Sequence, residues 1–274
     1  MFTPIDNDEA TVQSVVSTGY LPGLARKLRA LMKTTACLAV ALATPALAQD
    51  SGWSFALSPY AWTPGLTSSV ETAWGTVEVE KSISDVLSDL DLAFMGAFEA
   101  RNGRWSLIAD LFYANLSQGR PTPLGILFSR AEIDTEAKLL SGYAGYRVLE
   151  GGPVAVDLMA GFRVNSVNLD LSLAPGLIGG QSFGMSETWV DPLIGGRARF
   201  TITDRWFATV LADVGGFRTG SDLTWQIFGS LGYQIDERWS VQGGWRYVVI
   251  EKTINGRDVE VDLNGPLLGF TVRF

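Results

Sequence analysis

The sequence predicts an all-β fold: a single up-and-down antiparallel transmembrane β-barrel that turns its apolar face outward to lipid. Three observations carry this expectation. The first is the hairpin Leu92–Ser117, whose two faces differ completely. Folded at Asn102-Gly103, the dipeptide best suited to a two-residue type I′ turn, it pairs Ala100 with Trp105 and Phe98 with Leu107. Because side chains alternate along strands, Leu92, Phe94, Gly96, Phe98 and Ala100 then share a face with Trp105, Leu107, Ala109, Leu111 and Tyr113. Met95, Glu99, Arg101, Arg104, Ser106 and Asp110 lie on the other. The second observation is repetition. Arg104-Trp105, Arg205-Trp206 and Arg238-Trp239 each follow a short polar turn and open an alternating strand. Arginine at the headgroups with tryptophan one step deeper is the interfacial girdle of membrane barrels. The third is the end of the chain, where Leu268, Phe270, Val272 and Phe274 alternate with Gly269, Thr271 and Arg273.

Residues 1–48 are set apart from the fold as a leader containing a secretory signal peptide. Met32-Lys33 begins a positive segment, Ala36–Ala46 is apolar, and Ala46-Leu47-Ala48 is a small-x-small cleavage pattern before Gln49. Translation is expected to start at Met32. Cys37 stands at the start of the apolar run instead of following it, which argues against lipidation. The barrel domain is residues 49–274. It has no cysteine, and the whole chain has no histidine. The leader holds four basic and three acidic residues, which leaves the barrel domain at −9 and disfavours nucleic acid as a partner. The barrel domain contains no run of the roughly 20 apolar residues a membrane helix needs. A closed barrel is the other structure that pairs every backbone polar group within lipid.

The strands follow in order. Trp53–Trp62 places Trp53, Phe55 and Leu57 outside. Leu92–Asn102 and Trp105–Ser117 form the hairpin already described. Ala131–Arg147 is read with Ile133, Ala137, Leu139 and Tyr143 outside and Asp134, Glu136 and Lys138 inside. Val154–Asn168 puts Val156, Leu158, Ala160, Phe162 and Val164 outside, with Asp157 and Arg163 inside. Thr188–Phe200 puts Val190, Ile194, Ala198 and Phe200 outside, with Asp191, Arg197 and Arg199 inside. Trp206, Ala208, Val210, Ala212 and Val214 form the next outer face, opposite Asp213. Leu223–Ile235 places Trp225, Ile227, Leu231 and Tyr233 outside. Trp239, Val241, Gly243, Trp245 and Tyr247 follow, opposite Arg246, and the C-terminal strand completes the set.

The count is ten strands, with twelve or eight as alternatives, and both ends of the barrel on the periplasmic side. Short turns at Asn102-Gly103, Leu149–Pro153, Ile202–Asp204 and Asp236-Glu237 suit that side, and long connections at Thr63–Asp91, Gln118–Arg130 and Leu171–Met185 suit the exterior, with brief connections at Phe217–Asp222 and Asn255-Gly256 as exceptions there. Thr63–Asp91 is either a hairpin with a helical turn or two more barrel strands. Pro266 follows Gly265 where the alternation changes phase, which predicts a β-bulge.

Five segments, WSFALSPYAWTPGL (53–66), ISDVLSDLDLAFMGAFEARNGRW (83–105), ETWVDPLIGGRARF (187–200), SDLTWQIFGSLGYQI (221–235) and NGPLLGFTVRF (264–274), resemble a family of Gram-negative outer-membrane β-barrel proteins. That family carries no assigned activity, so the resemblance implies fold and location and brings no catalytic residues. Asn264-Gly265-Pro266 stands where the family pattern has His-Gly-Pro. The octet Leu267–Phe274 resembles the signal by which barrel-assembly machinery recognises such chains.

Outer-membrane phospholipases, lipid A deacylases and palmitoyl transferases, and omptin proteases are alike in using histidine as a base. With none present those mechanisms are excluded, as are metal sites built on histidine or cysteine, and no cofactor is expected. A carboxylate-only site would fall on Asp110, Asp191 or Asp213. The remaining constellation is a set of inward charges: Glu99, Asp110, Asp134, Glu136, Asp157, Asp191 and Asp213 against Lys138, Arg163, Arg197, Arg199, Arg246 and Arg273. Mixed signs fit a salt-bridged lumen. The girdle is assigned to Trp53, Trp105, Tyr113, Trp206, Trp225, Tyr233, Trp239, Trp245 and Phe274. The acidic residues Glu71, Glu78, Glu80, Asp85, Asp89 and Asp91 mark the first long connection. Together these features predict a non-catalytic outer-membrane barrel with a structural or surface-interaction role and a largely filled polar lumen, in contact with lipid and lipopolysaccharide. The alternative is a narrow passive channel for a small polar solute, since about eight strands leave an interior filled by side chains and open channels need roughly 16.

Overall fold

In the computed structural model, residues 52–72, 75–121, 128–177, 179–254 and 256–274 are described. The leader, its cleavage site and Asn255 lie outside them. The elements are β1 (Trp53–Trp62), β2 (Gly65–Thr72), β3 (Gly75–Lys81), α1 (Ile83–Asp89), β4 (Leu90–Asn102), β5 (Trp105–Pro121) and β6 (Phe128–Gly151). There follow β7 (Val154–Pro175), β8 (Gln181–Thr201), β9 (Trp206–Gly215), β10 (Leu223–Gln234), β11 (Trp239–Ile254) and β12 (Arg257–Arg273). Ten strands, β1 and β4 to β12, pair antiparallel in chain order, and β12 closes on β1. At the seam Phe55 and Phe274 exchange both backbone hydrogen bonds, at 2.9 and 3.0 Å.

Thr63–Asp91 is the hairpin with a helical turn. β1 stops at Thr63-Pro64, and β2 resumes along β12, pairing Gly65 with Asn264 and Leu66 with Leu263. The other edge of β2 takes β3, so these two strands stand outside the ring. α1 is opened by a capping box, in which Ser82 caps the Asp85 amide and Asp85 returns to the Ser82 amide.

The hairpin at the centre of the prediction forms in a shifted register. Ala100 faces Leu107 and Asn102 faces Trp105, so the turn residues are Gly103 and Arg104. Gly103 has φ +53° and Arg104 has no positive φ, the pattern of a turn that takes glycine at its first central position. A two-residue shift leaves every side chain on its predicted face.

That outer face is apolar and ringed with aromatics. Trp105 and Leu107 are 61% and 56% exposed, and Leu158, Phe162, Ile194, Ile227, Leu231 and Leu268 point the same way. Aromatic contacts line the short-turn end, with Trp105 against Tyr146 at 4.9 Å, Trp206 against Tyr233 at 5.1 Å, and Phe55 between Phe98 and Phe274.

Two expectations fail toward the long-loop end. On β6, Leu139 and Tyr143 are buried in the lumen while Leu140 and Tyr146 are exposed. The ladder from Ala131 to Arg147 runs without a register shift, so Ile133 and Ala137 also belong to the inner face. Asp134, Glu136 and Lys138 belong to the outer face, not to the lumen. The expected bulge at Pro266 is absent too, because β11 and β12 pair without interruption from Trp239–Val272 to Ile254–Arg257. Both corrections have one cause. Above the lipid-facing band the barrel wall is polar outside and apolar inside, so the alternation changes phase while the strand continues straight. The strands are also longer than predicted: β6 and β7 stay paired as far as Phe128–Pro175, and Gln118–Pro121, Phe128–Arg130, Leu171–Pro175 and Gln181–Met185 all lie in paired strands.

Candidate functional site

The lumen is built in three layers, set by which inward positions of each strand carry arginine, small polar or apolar side chains. At the long-loop end the inner face is apolar. Trp62, Met95, Phe112, Ala114, Leu139, Val248, Ile250 and Leu267 form a buried cluster across the barrel, with Trp62 edge-on to Phe112 at 5.3 Å.

Beneath it lies a hydrogen-bonded belt. Tyr60 of β1 donates to Asp110 of β5 at 2.7 Å, and Arg246 of β11 pairs with the same carboxylate at 2.8 Å. Arg246 Nη2 also donates to Gln226 Oε1 of β10 at 2.8 Å, and its guanidinium lies over the Trp62 ring. Gln226 Nε2 donates to Tyr143 Oη of β6 at 2.9 Å and to Asp213 of β9. Tyr143 donates to Asp213 at 2.8 Å, and Arg163 of β7 pairs with Asp213 at 3.0 Å. Arg163 places its other donors on Ser141 and Thr224, both at 3.1 Å. The belt ties seven strands together and balances two arginines with two carboxylates. Buried ions are tolerated when paired and bonded in this way. Asp191, just above, accepts from Asn165 at 2.7 Å and from the Ser221 hydroxyl at 2.9 Å.

The third layer, at the short-turn end, is not balanced. Asp157 is buried and accepts from Arg101 at 2.9 Å, Arg147 at 2.8 Å and Arg197 at 2.8 Å. Glu99 accepts from Arg101 at 2.9 Å, and Arg197 grips it with two bonds of 2.7 and 2.8 Å, the fork geometry in which guanidinium binds strongly. Arg199 lies over the Phe207 ring at 3.6 Å, and Arg273 donates to Gln234 at 3.0 Å. Among the described residues neither has a carboxylate within ion-pair distance. Five arginines thus meet two carboxylates in this layer. Two adjoining cavities of about 210 and 300 Å³ share Ala56, Glu99, Arg197, Arg199, Thr209 and Arg273, and the first reaches Asp110 and Arg246 of the belt.

The predicted inward residues Glu99, Asp110, Asp157, Arg163, Asp191, Arg197, Arg199, Asp213, Arg246 and Arg273 therefore meet in the lumen, in two clusters. Asp134, Glu136 and Lys138 do not join them. Glu136 takes Lys138 at 2.6 Å, Tyr113 at 2.9 Å and Asn168 at 2.8 Å on the outer face, and Asp134 takes the Ser117 hydroxyl. Of the girdle residues, Trp53, Trp105, Trp206, Tyr233, Trp239 and Phe274 ring the short-turn end. Tyr113 and Trp225, the latter stacked on Tyr247 at 5.2 Å, lie about 20 Å along, near the other rim. Trp245 is only six residues beyond Trp239, which puts it within the apolar band. Sequence reasoning left Tyr60, Arg101, Tyr143, Arg147 and Gln226 out of the charge network. Parity alone marks Tyr60, since Phe55 and Leu57 of the same strand face out. In the acidic connection, Asp85 is used by the α1 cap and Asp89 pairs with Lys81 at 3.0 Å.

Neither a protein-family model nor a curated protein matches the chain. Solved structures do. The outer membrane protease OmpT of Escherichia coli is 12% identical with a TM-score of 0.52, the match covering 82% of this chain and 98% of that one. The translocator domain of autotransporter NalP from Neisseria meningitidis is 12% identical at a TM-score of 0.40, over 92% and 98% of the two chains. Neisserial surface protein A is 14% identical at 0.32, over 82% and 98%. At that identity the likeness to OmpT speaks for fold alone. The chain has the fold of Gram-negative outer-membrane β-barrels, here a closed ten-stranded ring with two further strands outside it.

Proposed function

We propose that the protein is an integral, non-catalytic outer-membrane barrel with a structural or surface-interaction role, whose lumen is shut by its own side chains. One observation carries the proposal: the Tyr60–Arg163 belt and the apolar cluster above it lie in series across the lumen. The short-turn end would face the periplasm, with the long hairpins outside the cell. Export would use the signal peptide, starting at Met32 and cleaved after Ala48. The C-terminal strand ending at Phe274 would serve recognition by the assembly machinery. The outer-face group of Tyr113, Glu136, Lys138 and Asn168 lies at headgroup depth, which suits contact with lipopolysaccharide.

OmpT is a protease, but a histidine base has no counterpart in a chain without histidine. The carboxylates considered for a histidine-free site are all engaged: Asp110 by Tyr60 and Arg246, Asp191 by Asn165 and Ser221, and Asp213 by Arg163 and Tyr143. The test is conductance of the purified protein in planar bilayers. A closed lumen gives no discrete steps above background. Reproducible single-channel steps would replace this proposal with the narrow passive channel.

A further inference from the structure

The arginine-lined layer at the short-turn end has an excess of positive charge that nothing among the described residues neutralises. We propose that it is a binding site for a small multivalent oxyanion of the phosphate class, entering from the short-turn mouth. Entry from the periplasm rests on the orientation proposed above; binding itself does not.

Charge and geometry both support the site. Arg101, Arg147, Arg197, Arg199 and Arg273 line two cavities whose lining carboxylates are Glu99 and Asp110, the latter already paired with Arg246, while Asp157 lies behind the guanidiniums that it holds. Glu150 reaches Arg147 at 3.3 Å, but it stands half exposed on the rim. Glu99 and Asp157 are already occupied by two or three guanidiniums each. They orient these arginines and leave no free lone-pair direction for Arg199 or Arg273. Arg101 Nη1 is buried and has no hydrogen-bond partner among the described residues, a costly state for a guanidinium donor. Like charges held together in a partly desolvated cavity raise one another's energy, and a multivalent anion reverses that cost. Guanidinium forks match the geometry of phosphate oxygens. The belt residues Tyr60, Asp110, Tyr143, Gln226 and Arg246 line the inner end of this cavity, so on the closed-lumen reading proposed above the site is a blind pocket.

The same chemistry could be supplied by a free phosphate compound or by an anionic lipid headgroup, and two arms of one experiment separate them. In the first, the refolded full chain in a neutral detergent is titrated with inorganic pyrophosphate by calorimetry. In the second, it is placed in bilayers of phosphatidylglycerol or of phosphatidylcholine, and lipid retention is read by native mass spectrometry. Saturable 1:1 pyrophosphate binding that weakens with salt identifies a free anion. Selective retention of phosphatidylglycerol without pyrophosphate binding identifies a headgroup. In either arm Arg199→Gln and Arg273→Gln each weaken binding about tenfold and the pair about a hundredfold, while Arg218→Gln in the opposite loops leaves it unchanged. Circular dichroism and heat-modifiable gel mobility establish that each variant is folded. Absence of binding in both arms, or equal binding by the folded double variant, would overturn the proposal.

Discussion

Arg163 and Asp213 form an ion pair of 3.0 Å with no exposed side-chain surface on either partner, reaching from β7 to β9 past the intervening β8. Asp213 also accepts from Tyr143 and Gln226, so one carboxylate anchors three other strands.

Truncating one partner leaves the other buried and uncompensated. Asp213→Ala should therefore cost about 3–5 kcal/mol, whereas replacing both residues with apolar ones of similar volume should cost much less. Urea midpoints of the refolded barrel measure both. Equal losses in the single and double variants would mean that the pair is not the source of the stability.

Phe274 closes the barrel against Phe55 through two backbone hydrogen bonds and a ring contact at 6.0 Å. Removing Phe274 should lower stability by about 2 kcal/mol, roughly one for each backbone bond lost, with a slower return of the compact gel form on refolding. An unchanged denaturation midpoint would contradict the seam described here.

The register of the β4–β5 hairpin is open to direct chemistry. Directly opposed residues have Cβ atoms about 4.5–5.5 Å apart and diagonal ones about 7–8 Å, and only the former suit a disulfide. Ala100→Cys with Leu107→Cys should oxidise readily, and Ala100→Cys with Trp105→Cys should not. The opposite result would restore the turn centred on Asn102-Gly103.

Asp222 ties the β9–β10 loop to the β11–β12 hairpin by accepting from the Thr253 amide at 2.6 Å and its hydroxyl at 2.8 Å. These bonds hold its carboxyl below the usual carboxylate range. A lowered folded pKa gives stability that is present above the unfolded value of about 3.9 and is lost as pH falls through the folded value. Protection of the Thr253 amide from hydrogen exchange should exceed that in Asp222→Asn at neutral pH. The difference should vanish in acid. A difference that is independent of pH would rule out the carboxylate as its source.

The fold was largely legible because the lipid-facing half of each strand obeys one rule, apolar out and polar in. On β9 and β10 Asp213, Gln226 and Ser230 all face the lumen as their parity demands, although Phe207, Leu211 and Phe228 share that face. The rule weakens where strands run beyond the lipid. β6 carries Leu139 and Leu140 side by side, so either phase looks apolar, and Asp134, Glu136 and Lys138 attract an inward reading. Only contacts with neighbouring strands, Phe112 inside and Tyr113 outside, decide between them. The arginine layer was half visible. Arg197, Arg199 and Arg273 follow from parity, but the pairing of Arg101 and Arg147 on Asp157 depends on the curvature that brings β4, β6 and β7 together. Likewise the hairpin of β2 and β3 could not be distinguished from barrel strands by alternation, because what excludes it is the break at Thr63-Pro64.

The central claim is the direction in which side chains face, and adjacent residues of β6 test it most directly. With Cys37, the chain's only cysteine, replaced by serine, a nitroxide is attached at Leu139→Cys or at Leu140→Cys, and collision with oxygen and with a water-soluble nickel chelate is measured in bilayers. The label at 140 should collide readily with lipid-dissolved oxygen and poorly with the chelate. At 139 it should be immobile and shielded from both. A lipid-exposed label at 139 together with a shielded one at 140 would contradict the structure described here.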